Sequence, residues 1–82
     1  MPEAFVIVNC ELDSSESLAS ELRQVSYVES VIRISGVYDL LIKVNARTDE
    51  DLKKIITEIR TNNQVKATST MMIFKTFLKP SS

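Results

Sequence analysis

The sequence predicts a single α+β domain of order β-α-β-β-α-β, on three observations. Short apolar runs rich in β-branched residues alternate with two stretches of helical periodicity. The only glycine, Gly36, divides two of those runs as a hairpin would. The two halves also echo one another. "VNC" (Val8 to Cys10) precedes the first helical stretch as "VNA" (Val44 to Ala46) precedes the second, and Val28 and Val65 open the strands that follow.

Residues 4–10, "AFVIVNC", read as a nearly continuous apolar strand. Asp13, with Glu16 three residues on, reads as a capping-box start, and Leu18, Leu22 and Val25 then recur at helical spacing. Val28 to Ser35 has the β-branched enrichment of a strand, Gly36 punctuates it, and Val37 to Asn45 returns as another. Thr48 caps the second helix, with Asp49, Glu50 and Asp51 favouring its positive end. Leu52, Ile55, Ile56 and Ile59 form its apolar stripe, and Asn62-Asn63 stops it. Val65 to Leu78 reads as one long last strand, and the tail "KPSS" is expected to fray. Two βαβ halves in this order describe a ferredoxin-like plait. Its sheet has four antiparallel strands, the first and third central, with both helices on one face.

Two helices cover only one face of that sheet, yet the strands are apolar on both. Phe5 and Ile7 fall on one side of the first strand, and Ala4, Val6 and Val8 on the other. The last strand offers Val65, Ala67, Met71 and Ile73 to one side and Met72 and Phe74 to the opposite side. An uncovered second face of this kind is rare on a soluble monomer, and 82 residues bury little by themselves. A homodimer packed sheet against sheet is therefore expected.

Composition narrows the chemistry. Ten Lys+Arg against eleven Asp+Glu, with no basic cluster, give little support to phosphate neutralisation on a nucleic acid. No amino-terminal leader pattern and no membrane-length apolar run are present, so a cytoplasmic chain without membrane contact is expected. The absence of histidine removes His-ligated metal and haem sites and Ser-His or Cys-His nucleophile pairs, and one glycine cannot make a phosphate loop. No catalytic residue, metal site or cofactor is expected. Cys10, the single cysteine, excludes an internal disulfide and reads as a small buried residue at a strand end.

Asp39 is the residue that composition does not explain. It opens an otherwise apolar run, on the face that Val37, Leu41 and Lys43 share, while Tyr38, Leu40, Ile42 and Val44 point to the helices. A half-buried carboxylate there needs hydrogen bonds or a cation. It could accept N–H groups of the Gly36 turn or pair with a lysine across an interface. Alternatively, it could meet the ammonium group of a ligand, or stabilise the backbone that holds one. Spacing does not separate these readings.

"SGVYDLLIKV" resembles the Gly-x-Tyr-Asp signature of the effector (RAM) domain of the Lrp/AsnC family of feast/famine regulators. "VKATSTMMIF" resembles that domain's closing strand, with Thr68 and Thr70 in its Thr-x-Thr pattern. The resemblance runs from about Glu3 to Lys75 and makes residues 1–82 one Lrp/AsnC-type ligand-binding domain. It implies a plait that dimerises through its sheets, dimers assembled into octamers or decamers, and an amino-acid effector held between dimers near the turn. Full-length members carry an amino-terminal helix-turn-helix domain, whereas this sequence begins at the effector domain's first strand. The resemblance thus implies the stand-alone form, with no direct DNA binding and with full-length Lrp/AsnC regulators as possible partners.

Carried over residue by residue, the ligand-binding set is Gly36, Val37, Tyr38, Asp39, Thr68, Ser69 and Thr70. Gly36 would allow the turn and its N–H groups would receive a carboxylate, Asp39 would take an α-ammonium, and the three hydroxyls would come from the edge strand. Tyr38 reads first as core packing, and Met71 and Met72 as adaptable fillers. The expected function is non-catalytic amino-acid sensing and oligomerisation in transcriptional or metabolic regulation. The alternatives are an interaction module co-assembling with full-length regulators, or an ACT-like amino-acid-binding domain of the same topology.

Overall fold

The computed structural model describes residues 1–80. The elements are β1 (Glu3–Cys10), α1 (Ser15–Leu22), β2 (Val28–Arg33), β3 (Leu40–Asn45), α2 (Asp49–Thr61) and β4 (Val65–Ile73). The four strands form one sheet in the order β2-β3-β1-β4, with every neighbouring pair antiparallel. This is the ferredoxin-like plait the sequence predicts.

Period-two alternation builds the core. Ala4, Val6, Val8 and Cys10 of β1 and Leu40, Ile42 and Val44 of β3 are buried toward the helices. Leu18 and Leu22 of α1 and Leu52, Ile55 and Ile59 of α2 meet them from above. Ile56, at the side of the α2 stripe, and Val25, beyond the end of α1, are only partly buried against this cluster. Thr48 caps α2 as expected, its Oγ1 accepting the Asp51 N–H at 3.1 Å. Glu21 of α1 accepts from the side chains of Asn62 and Gln64 at 3.0 and 2.8 Å, tying that helix to the α2–β4 connection.

Four local expectations are corrected. The Asp13–Glu16 capping box does not form. Asp13 takes a left-handed φ of 61°, Ser14 donates to the Glu11 carbonyl, and Ser14 occupies the cap position without a side-chain bond. The chain spends Asp13 on the turn, a conformation that aspartate tolerates better than most residues. The third strand starts at Leu40 and not Val37, because the Ile34 N–H reaches the Asp39 carbonyl and leaves Ser35 to Tyr38 as a loop.

The last strand stops at Ile73 and not Leu78, since its partner β1 begins at Glu3, directly opposite. Finally, Val65 does not share a face with Ala67. A register shift between Asn9 and Cys10 sets Val65 opposite Cys10 on the helix side, where it packs against the core. Ser81 and Ser82, the end of the tail expected to fray, lie outside the described residues.

The face away from the helices carries Phe5 and Ile7 of β1, Leu41 and Lys43 of β3, Ile32 of β2 and Met71 of β4. Ile32 and Met71 are 46% and 47% exposed, so this face is apolar and open in the protomer. Lys43 stands among these side chains between Glu29, at 3.0 Å, and Glu3, at 3.5 Å. Its hydrogen bond to Glu29 is the main cause of a raised lysine pKa.

Candidate functional site

The loop between β2 and β3 needs its glycine for conformation and not for space. Gly36 has φ 121°, a region that L side chains rarely adopt, while a Cβ there would meet nothing within 4 Å. The loop is pinned at both sides of its return. The Ile34 N–H donates to the Asp39 carbonyl and the Asp39 N–H donates to the Val8 carbonyl, each at 2.9 Å. Between these pins, the N–H groups of Ser35, Gly36, Val37 and Tyr38 have no hydrogen-bond acceptor among the described residues. Gly36 and Val37 are exposed, Val37 to 84%. Tyr38 is half-buried, but it lies outside β3 and is not among the side chains packed against the core, contrary to the core-packing expectation.

Asp39 answers to neither of the structural partners expected from sequence. Its Oδ2 accepts the backbone N–H of Cys10 at 2.9 Å. The reason lies in strand lengths. Pairing of β1 with β3 ends where Val8 faces Leu40, yet β1 runs on to Cys10 and leaves an N–H beyond the ladder. The carboxylate substitutes for the missing main-chain acceptor, a charge-assisted bond of the stronger kind. An ionised carboxylate can accept several bonds, so Oδ1 keeps capacity for another donor. This partnership was missed in the sequence. The signal that could have found it is the β1 run extending two residues past the pairing with β3.

Cys10 is buried, and burial first, then the nearby Asp39 carboxylate, pushes its thiol above the ordinary cysteine range. A thiol held in its neutral form is a poor nucleophile, in keeping with the structural reading of this residue.

Thr68, Ser69 and Thr70 are on β4, with β1 between them and β3. Thr68 and Thr70 pair with Val8 and Val6 and so share the helix side, whereas Ser69 pairs with Ile7 and shares the open face. Two strand spacings, about 10 Å, separate β4 from the Asp39 strand. β1 therefore stands between these hydroxyls and the Asp39 backbone, although the Asp39 carboxylate reaches to β1 itself.

The clefts of the protomer lie elsewhere. One, of about 350 Å³, runs between the turn before β2 and α2, and is lined by Val25, Ser26, Tyr27, Asp51, Lys54, Ile55 and Glu58. Another, of about 330 Å³, lies between α1 and β2 and includes Arg23, Arg33 and Leu40. The Gly36–Asp39 loop lines neither of them. An enclosed pocket at this loop therefore requires a second surface.

Residues 3–82 match the protein family described as Lrp/AsnC ligand binding domain. Among curated proteins, the homocitrate synthase of Saccharolobus solfataricus is 35% identical over 74 residues, 89% of this chain. The chain spans only 16% of the length of that relative. Among solved structures, FFRP-DM1 superposes with a TM-score of 0.87 at 31% identity, covering 90% of this chain and 100% of that one. AsnC of E. coli shares the fold, with a TM-score of 0.84 at 19% identity, covering 99% of this chain and 56% of that one.

Proposed function

The chain belongs to the Lrp/AsnC ligand-binding domain family, and from that premise we propose that it is a non-catalytic sensor of a free amino acid, bound at the Gly36–Asp39 loop of an oligomer. The observation that carries this reading is the pairing of opposite electrostatic features on one short loop. Four successive N–H groups without acceptors among the described residues, around a glycine of positive φ, would form a receptor for a carboxylate. Beside them, Asp39 has one oxygen fixed on Cys10 and the other able to take an ammonium. A zwitterion presents both groups a few bonds apart.

Because the loop lines none of the protomer's described clefts, the ligand is enclosed only when another protomer closes over it. In the proposed arrangement the open sheet faces pair to form dimers. Dimers then meet at their loops, in an octamer or decamer, with Thr68, Ser69 and Thr70 of a neighbour supplying hydroxyls. The apolar open face supports the first step.

The test is a thermal-shift screen of the twenty common amino acids against the intact chain. At least one is expected to raise the melting temperature in a concentration-dependent way. No response to any of them at millimolar concentration contradicts the reading.

A second reading concerns what the sensor acts upon, and rests on the 35% identity to a segment of homocitrate synthase. In it the domain transmits effector binding to a metabolic enzyme and not to a transcriptional regulator. Mixing tells them apart. The ligand-bound domain changes DNA binding by a full-length Lrp/AsnC regulator in the first case, and homocitrate synthase turnover in the second.

A further inference from the structure

Phe74 is fully exposed, and Phe77 and Leu78 are 83% and 85% exposed. All three belong to the stretch Phe74–Pro80, which continues the β4 chain past its last paired residue, Ile73 opposite Glu3. The Lys75 ammonium stands 5.0 Å from the centroid of the Phe77 ring, a contact made within the stretch itself. Three large apolar side chains within five residues are not left in water without a partner surface.

We infer that Phe74–Pro80 is an exchanged arm, which each copy of the chain lays against the rim of a second copy's sheet, beyond the area that the paired faces cover. The inference rests on the sheet-paired assembly proposed above and identifies the segment that completes it. Area favours this occupant. The paired faces are narrow, four strands about seven residues long measuring about 23 by 19 Å, while a stable interface takes about 800 Å² of accessible surface from each partner. Two phenylalanines and a leucine add apolar surface beyond those faces, at roughly 150–250 Å² for each aromatic ring.

Reach and charge agree with it. Seven extended residues span up to about 23 Å, and packed sheets are separated by about 10 Å, so the arm clears its own sheet edge and crosses to the partner. Its charged residues are Lys75 and Lys79, and the open face offers Glu3 and Glu29 around the single Lys43.

Sedimentation of the full chain and of a Phe74→Ser/Phe77→Ser/Leu78→Ser variant through a dilution series tests the arm. The dimer dissociation constant of the variant is expected to rise by at least about tenfold, from the apolar area withdrawn. In a mixed sample of isotope-labelled and unlabelled wild-type chains, the Phe77 ring is expected to show nuclear Overhauser contacts to methyls of Ile32, on the edge strand β2, of the other copy. Equal dissociation constants for the two dimers, or ring contacts confined to one copy or to none, overturn the arm and leave the paired sheets standing. A wild-type chain that stays monomeric throughout removes both.

Discussion

Asp39 holds the Cys10 N–H, and the role proposed for it toward a ligand can be separated from that bond by substitution. Asp39→Ala removes the acceptor of the Cys10 N–H, so it is expected to cost about 1–3 kcal/mol of stability and to lower the melting temperature by several degrees. Asp39→Asn keeps a carbonyl oxygen for that N–H and removes only the charge. It should melt close to the wild type in the absence of ligand, as scanning calorimetry can check. An Asp39→Asn protein that melts as low as Asp39→Ala would show that charge itself holds the strand ends together.

Gly36→Ala is expected to destabilise by about 1–3 kcal/mol, from backbone strain alone since its methyl meets no neighbour. An unchanged denaturation midpoint would contradict this. Cys10 supplies a pH signature. Its thiol pKa is raised on folding, so the folded chain holds that proton where the unfolded chain has released it. The resulting stability is complete below about pH 8.5 and is lost as pH rises from there through the folded value. Urea midpoints measured from pH 7 upward should fall more steeply for the wild type than for Cys10→Ala, and parallel curves would contradict the assignment.

The strands and helices differ in how far their residues announce them. Helix α2 was legible from end to end, because Thr48, the acidic first turn, the Leu52–Ile55–Ile59 stripe and Asn62 act locally. Thr48→Ala is expected to cost about 1 kcal/mol through the lost cap, read as a lower denaturation midpoint without loss of the fold; no change would mean the cap bond is not formed in solution. Ends set by partners were not legible. The stop of β4 at Ile73 is dictated by where β1 begins, and the return of Val65 to the core by a register shift in the pairing with β1. Asp13 looked like a cap because its spacing to Glu16 is right, but the turn fixed by the Glu11 carbonyl took precedence. At the site, the Gly36 loop and Asp39 stood out in the sequence, whereas the Cys10 N–H did not. Which side of β4 carries each hydroxyl depended on a register that spacing alone does not fix.

The protomer is an incomplete object: one face of its sheet is apolar and open, and the loop proposed to hold the ligand lines none of its described clefts. Light scattering at micromolar concentration should therefore give a dimer or a multiple of dimers, and a monodisperse 9.3 kDa particle would contradict this. With a formal net charge of −1 and no basic cluster, the 82-residue chain should give no sequence-selective, salt-sensitive shift of duplex DNA unless a full-length regulator is added. The most direct test of the whole account is isothermal calorimetry of the assembled wild type and of assembled Asp39→Asn, using whichever amino acid the thermal screen selects. The account predicts saturable binding to the wild type and a loss of about 1–3 kcal/mol in Asp39→Asn, the range for a charged hydrogen bond, with size and melting temperature of the free protein retained. Equal affinity in the two proteins, at equal assembly, would contradict it.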